Sequence, residues 1–305
     1  MRVIQLEQPA GERVVALGTF DGVHLGHRAL IRKAKVIAEE IEVPLRLCTF
    51  NRHPLEILQP ENPPEMLSTI PEKAREMQKL GVDEMELIPF DRQTADLEPE
   101  AFLERLRSMM KVRAIVAGWN YSFGKKGRGN SELLKEDGSR YGYQVMIVPP
   151  ETLPDGTAIS SSLIRRKLRD GLVEETAELL CHDYTLTGTV AQGKHQGHEL
   201  GFPTANIEPW KRKALPRYGV YACMLETGNQ VLPAVANIGI QPTLPSGKVT
   251  VEAHILQECP ELYGRKVRLS LKSMLREEKR FNSIDELKEQ IEKDREQALK
   301  MLAMA

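Results

Sequence analysis

The hydrophobic rhythm of this chain changes once, and that change limits what it can fold into. Up to about residue 180, short apolar runs alternate with segments whose apolar residues recur at spacings of three and four. The runs are Arg13–Leu17, Leu45–Phe50, Glu86–Pro89, Ala114–Ala117 and Val145–Val148. Between them, Leu30, Ile31, Ala34, Ile37, Ala38 and Ile41 share one helical face. Ser68 precedes Pro71 and a helical stretch that stops near Leu80-Gly81. Pro99 opens another helix towards Met110, and Ser131–Tyr141 is helical. This order predicts an α/β unit, a Rossmann-like parallel sheet covered by helices on both faces. After Tyr184 the helical rhythm stops. Leu186–Ala191, Val220–Leu225, Val231–Ala236, Val249–Ile255 and Val267–Leu271 are short β runs punctuated by Gly, Pro and Asn. They predict an antiparallel barrel or sandwich. A closing helix begins near Ser283, where Ser283 and Glu286 fit a capping box and Ile284, Leu287, Ile291 and Leu299 form a stripe. The expected organisation is therefore α/β followed by β, with domains 1–183 and 184–305.

Composition narrows the function classes. The 305 residues carry a formal net charge of -1, which gives no electrostatic reason to expect a nucleic-acid partner. Aromatic residues make up 5%, too few to suggest a stacking platform for single strands. No apolar run approaches the roughly 18 residues that span a bilayer, so no membrane partner is expected. Cys48, Cys181, Cys223 and Cys259 form no CxxC pair, which predicts neither a zinc site nor a disulfide framework. A cytoplasmic location is the simplest expectation.

Two segments carry chemistry. The first is Gly18-Thr19-Phe20-Asp21-Gly22-Val23-His24-Leu25-Gly26-His27, which follows a strand and opens a helix. Free N–H groups at a helix start bind anions, and Gly22 and Gly26 allow close backbone approach. His24 and His27 add donors that can stabilise charge building on a phosphate under attack. The plain alternative is a capped helix bearing two surface histidines. In Ile159-Ser160-Ser161-Ser162-Leu163-Ile164-Arg165, serine hydroxyls precede a helix and Arg165 supplies a phosphate fork. The second segment holds Gly193, Gly197 and Gly201 in a loop that can fold its amides over phosphates. Thr204 and Asn206 follow, two apart and on one face if the backbone is extended. Their neutral oxygens can complete the shell of a Mg²⁺ already held by phosphates. Here the plain alternative is a turn followed by an edge strand.

The order of these motifs resembles known families. Gly18–His27 and Ile159–Arg165 resemble the paired signatures of HxGH nucleotidylyltransferases. Thr49-Phe50-Asn51-Arg52-His53-Pro54 and Ala117-Gly118-Trp119-Asn120-Tyr121-Ser122-Phe123-Gly124 resemble segments of one branch, the FMN adenylyltransferase module of prokaryotic FAD synthetases. Gly201–Asn206 resembles the GFPTAN signature of riboflavin kinases. Tyr218–Tyr221, Val235–Gly239, Val251–Ile255, Leu262–Gly264 and Arg276–Phe281 resemble their later segments. The whole chain is thus similar to the bifunctional riboflavin kinase/FAD synthetases.

The resemblance implies two reactions, with riboflavin, FMN, FAD and ATP as small-molecule ligands and Mg²⁺ as cofactor. For adenylyl transfer it implies catalytic His24 and His27. Gly18, Phe20, Asp21, Gly22, Gly26, Ser161, Ser162 and Arg165 would lie around the ATP phosphates. Phe50, His53, Pro54 and Asn120 would lie along the flavin cleft. For the kinase it implies Glu252 as base, Thr204 and Asn206 at the metal, Gly193, Gly197 and Gly201 at phosphate, and Arg276 at the flavin. Gly197-His198 stands where the family usually has Gly-Arg, replacing a permanent charge by a titratable one.

Overall fold

A computed structural model describes residues 1–4, 10–191, 204–240, 249–258 and 261–303, and the chain divides into two compact units, Met1–Ser161 and Ser162–Ala305. The first is a six-stranded sheet of β1 (Arg2–Ile4), β2 (Ala10–Leu17), β3 (Leu45–Phe50), β4 (Glu84–Ile88), β5 (Met110–Gly118) and β6 (Gln144–Val148). All its pairings are parallel, in the order β1-β4-β3-β2-β5-β6. The connections carry α1 (Leu25–Glu40), α2 (Leu55–Leu58), α3 (Ile70–Lys79), α4 (Arg92–Ala95), α5 (Pro99–Met109) and α6 (Ser131–Tyr141).

Strand side chains alternate between faces, so each strand serves two cores. Val14 and Ala16 of β2 pack with Leu45, Leu47, Ala114 and Val116 against Leu30, Ile31 and Ala34 of α1. Val15 and Leu17 turn the other way, with Ile115 and Ala117, against Phe102, Leu103 and Leu106 of α5. On that second face the sheet also buries charge. Arg13 donates to Glu84 at 2.8 Å, and Arg46 pairs with Glu84 at 2.7 Å and Glu86 at 3.1 Å. The helix after Ser68 is capped by Thr69. Its side chain accepts from Glu72 N while Glu72 accepts from Thr69 N, with Pro71 in the first turn. Ser68 is thereby released for the loop described below.

In the second unit, α7 (Ser161–Arg169) and α8 (Val173–Leu180) precede β7 (Tyr184–Ala191), β8 (Thr204–Pro209), β9 (Gly219–Thr227), β10 (Gln230–Ile240), β11 (Val249–Ile255) and β12 (Lys266–Glu277). The strands close into an antiparallel barrel in the order β10-β11-β8-β7-β12-β9. A closed barrel has no edge, so β8 pairs on both sides, with β7 and β11, and is not the edge strand that the plain alternative expected. Gly188 of β7 is needed where β8 crosses it, because a Cβ there would collide with the Glu208 carbonyl. The α8 helix packs on β7 and β12. Ser161 already belongs to α7, so two of the three serines expected to precede that helix lie in its first turn.

The final helix, α9 (Ile284–Ala303), is capped by Ser283 Oγ, which accepts from Glu286 N at 3.1 Å. The other arm of the box is displaced: Glu286 accepts from Asn282 N. Its packing face is also rotated from the expected stripe. Ala298 is buried against Ala222 and Leu256, whereas Ile284 and Leu299 are exposed. Buried Asp294 shares the packing face because Arg276 of β12 grips its carboxylate at 2.8–3.0 Å. Among the described residues, no helix is long and apolar enough to cross a membrane.

Candidate active sites

In the parallel sheet the chain runs outward from β2 in both directions, to β3 on one side and β5 on the other. The carboxyl end of β2 is therefore a topological switch point, where open α/β sheets form a ligand crevice. The motifs found in the sequence leave the sheet there. Gly18–His27 follows β2, Asn51–Pro54 follows β3, and Trp119–Gly124 follows β5. Segments far apart in sequence become neighbours because β3, β2 and β5 are adjacent.

The turn after β2 is held in a tight conformation. Phe20 (φ 50°), Gly22 (φ 83°) and Val23 (φ 50°) all adopt positive φ, which costs strain at the two side-chain-bearing positions. Buried Asp21 braces the turn. Its carboxylate accepts from Leu67 N and Ser68 N, each at 3.0 Å, and Gly22 N donates to Ser68 Oγ at 3.1 Å. That carboxylate, expected beside the ATP phosphates, is engaged in bracing the turn. Ser161 Oγ donates to the Asp21 carbonyl at 2.9 Å. Arg28, salt-bridged to Glu76 at 2.6 Å, donates to the Val23 carbonyl at 3.1 Å.

His24 is the N-cap of α1 yet makes no side-chain cap. The orphan N–H groups of the first turn are thus left to a ligand. The rings of His24 and His27 stack at 3.7 Å, and His27 meets the edge of Phe20 at 5.2 Å. Nδ1 of both rings is buried with no hydrogen-bond partner among the described residues. Gly26 sits under this stack, where a Cβ would lie 3.3 Å from the His24 ring. Burial lowers the His24 pKa to about 4, against a weaker upward pull from Asp21. Burial also lowers that of His27, with the charges of His24 and Lys73 adding to the effect. Both imidazoles are therefore neutral donors or acceptors near pH 7.

A measurable consequence follows from linkage. The unfolded chain takes up the His24 proton near pH 6.5, whereas the folded chain resists until about pH 4. Stability from this group is complete above 6.5 and is lost as pH falls towards 4. At the acid end the loss is on the order of 3 kcal/mol. Urea unfolding at pH 7.5, 6 and 5 should show a falling midpoint, with a flatter dependence in His24→Asn. Equal slopes for the two proteins would refute the assignment.

Among the residues expected at the flavin, Phe50 packs edge-on to Phe90 at 4.7 Å. His53 Nδ1 accepts from Leu55 N at 3.2 Å, and Pro54 starts α2. Asn120 is exposed just beyond β5. The sequence reading missed Lys73, Ser68 and the Arg28–Glu76 pair. All but Arg28 lie in or just before α3, whose only sequence signal was a helix boundary.

In the barrel, Glu252 of β11 lies directly opposite Asn206 of β8 and Asn237 of β10, and His254 lies opposite Thr204. Ala205, Ile207, Val251 and Ala253 are buried and fill the interior. By alternation, Thr204, Asn206, Glu252 and His254 share the outer face. Asn237 and His254 were read only as parts of motifs. Arg276, expected at the flavin, holds Asp294 of α9 and lies over Phe281. Gly193, Gly197, Gly201 and His198 lie outside the described residues.

A switch-point crevice opening on a bare helix N-terminus in one unit, and in the other a barrel with a Thr-Asn-Glu row, suit a class of two-domain nucleotide-using transferases. Comparisons with known proteins are more specific. A family model described as FAD synthetase matches residues 6–163, and one described as riboflavin kinase matches residues 180–302. Proteins named bifunctional riboflavin kinase/FMN adenylyltransferase from Listeria monocytogenes and Escherichia coli K12 are 37% and 36% identical, each over 92% of this chain and 90% of their own. The Bacillus subtilis protein of that name is 33% identical over 97% of this chain and 94% of its own. A crystal structure described as a macrolide-efflux protein from Streptococcus pneumoniae superposes with a TM-score of 0.87, at 31% identity over 97% of this chain and 98% of that one. This chain belongs to the bifunctional riboflavin kinase/FMN adenylyltransferase family.

Proposed function

We propose that the chain makes FAD in two steps. The domain at 184–305 transfers the γ-phosphate of ATP to riboflavin, giving FMN and ADP. The domain at 1–183 transfers AMP from a second ATP to FMN, giving FAD and pyrophosphate. The observation that carries this reading is the convergence of the loops after β3, β2 and β5 on one switch point, with stacked His24 and His27 at its helix terminus.

In the adenylyl step an oxygen of the FMN phosphate attacks the α-phosphorus, and the bond to the pyrophosphate oxygen breaks. No base is needed, since the attacking phosphate is already ionised. His24 and His27 donate to the oxygens where charge builds, and the polyphosphate itself favours their protonation once bound. The first-turn amides of α1 take phosphate oxygens, with Gly18 and Gly22 giving the backbone room. Ser161, whose hydroxyl donates to the Asp21 carbonyl, serves the same polyphosphate, while Phe50, His53, Pro54 and Asn120 serve the flavin.

In the kinase step Glu252 takes the proton of the ribityl 5′-hydroxyl as that oxygen attacks the γ-phosphorus. Thr204 and Asn206 present hard, neutral oxygens on one face of β8, a donor set that fits Mg²⁺ held mainly by phosphate. The metal would neutralise polyphosphate charge in both reactions. Arg276 fixes α9 against β12, and its contact with the flavin belongs to this reading as well. A cytoplasmic setting suits dissolved substrates.

Purified protein given riboflavin, excess ATP and Mg²⁺ should form FMN first and FAD later, read by chromatography over time. FAD from supplied FMN without FMN from riboflavin would remove the kinase half. Bound flavin with no turnover of either substrate would sink both halves.

A further inference from the structure

Lys73 has no part in the reading above. It sits on α3, 4% exposed, and points its amine at the turn after β2. Nζ donates to the Thr19 carbonyl at 2.6 Å and lies 3.5 Å from Thr49 Oγ1, which itself donates to the same carbonyl at 3.1 Å. Thr19 immediately precedes the turn Phe20–Val23, left-handed at Phe20, Gly22 and Val23, that delivers His24 and His27. Strained turns persist only where several contacts over-determine them. Here the clamps from Leu67, Ser68 and Lys73 all come from one segment, the entry to α3 and its first turn.

The charges around Lys73 are specific. Asp21, in the turn, favours its charged form. His27, on α1, is one of the groups whose proton affinity Lys73 lowers. His24, also on α1, is buried and neutral. Glu72 of α3 is committed to the Thr69 cap, and Glu76 to Arg28 and Lys79. Burial brings Lys73 down to about 8, so its ammonium is kept against the cost of desolvation. A buried lysine held against the turn after β2 by named contacts is a candidate for a functional role. Packing alone would not require it, because Thr49 would still satisfy the Thr19 carbonyl.

We propose that Lys73 is a positioning residue for adenylyl transfer: it fixes the Thr19 carbonyl, and through it the turn that aims His24 and His27. This role rests on the adenylyl-transfer reading. The test uses the full chain with Lys73→Met and Lys73→Arg, measuring kcat and KM for FAD formation from FMN and ATP between pH 6 and 9.5. Riboflavin phosphorylation by the same preparations reports the state of the chain. In Lys73→Met, kcat for FAD should fall about 10- to 100-fold, as expected for a misaligned site, with a smaller change in KM. Phosphorylation should be retained and the thermal midpoint unchanged or raised. Lys73→Arg should recover part of kcat. The wild-type alkaline limb, as activity falls while pH rises through about 8, should move upward in Lys73→Arg. Wild-type kcat and pH profile in Lys73→Met would overturn the proposal, as would joint loss of both activities with a lowered midpoint. A wild-type chain that makes no FAD from FMN would sink the adenylyl-transfer reading itself and this role with it.

Discussion

His27→Ala is expected to lower FAD formation from FMN by about 10²- to 10³-fold, the usual cost of removing one preorganised donor at a developing charge. FMN formation from riboflavin should be unaffected, since the kinase residues sit on a separate barrel. The size of the effect follows from the site. His27 is partly buried, with its Nδ1 atom shielded, and is stacked on His24 and braced by the edge of Phe20, so its ring is already oriented. The substitution also removes a wall of the stack, so His24 loses its alignment. Initial rates for each reaction, measured on one preparation, separate this from general damage. Equal loss of both activities would mean that the chain had unfolded, and unchanged FAD formation would remove His27 from the mechanism.

The second large effect belongs to the barrel. Glu252→Gln keeps the shape of the side chain and its place opposite Asn206 and Asn237, but removes the basic oxygen. Phosphorylation of riboflavin should fall by about 10²- to 10⁴-fold, the usual range for loss of a positioned general base. FAD formation from supplied FMN should continue at the wild-type rate. The pair of variants forms a cross: each blocks one reaction and spares the other. Mixing the two proteins should restore conversion of riboflavin to FAD if FMN diffuses freely between molecules. A Glu252→Gln protein with wild-type kinase activity would show that Glu252 only lines the site.

Much of both domains could be read before any coordinates were known, because periodicity reports local geometry. The β3 run matched Leu45–Phe50, α6 matched Ser131–Tyr141 and β11 matched Val249–Ile255. The β4 strand was read from Glu86 onward because Glu84 interrupts its hydrophobic pattern; pairing with Arg46 on adjacent β3 and with Arg13 on β2 makes burying these carboxylates tolerable. The apolar stripe on α9 includes Leu299, which is exposed; the Arg276–Asp294 ion pair helps set which face turns inward. Strand β1 and the four-residue helices α2 and α4 carry too few residues to show a period.

The sequence by itself determined the two architectures and pointed to candidate phosphate segments, because helix starts, glycines and alternating strands are local signals. The tertiary structure decided which of these residues meet. Strand order brings the loops after β3, β2 and β5 to one crevice, and barrel register sets Glu252 across from Asn206. It also decided their state: burial makes His24 and His27 neutral and places a costly lysine behind the turn that carries them. Desolvation depends on what the rest of the chain packs around a side chain, and that is not written in the residue or its neighbours.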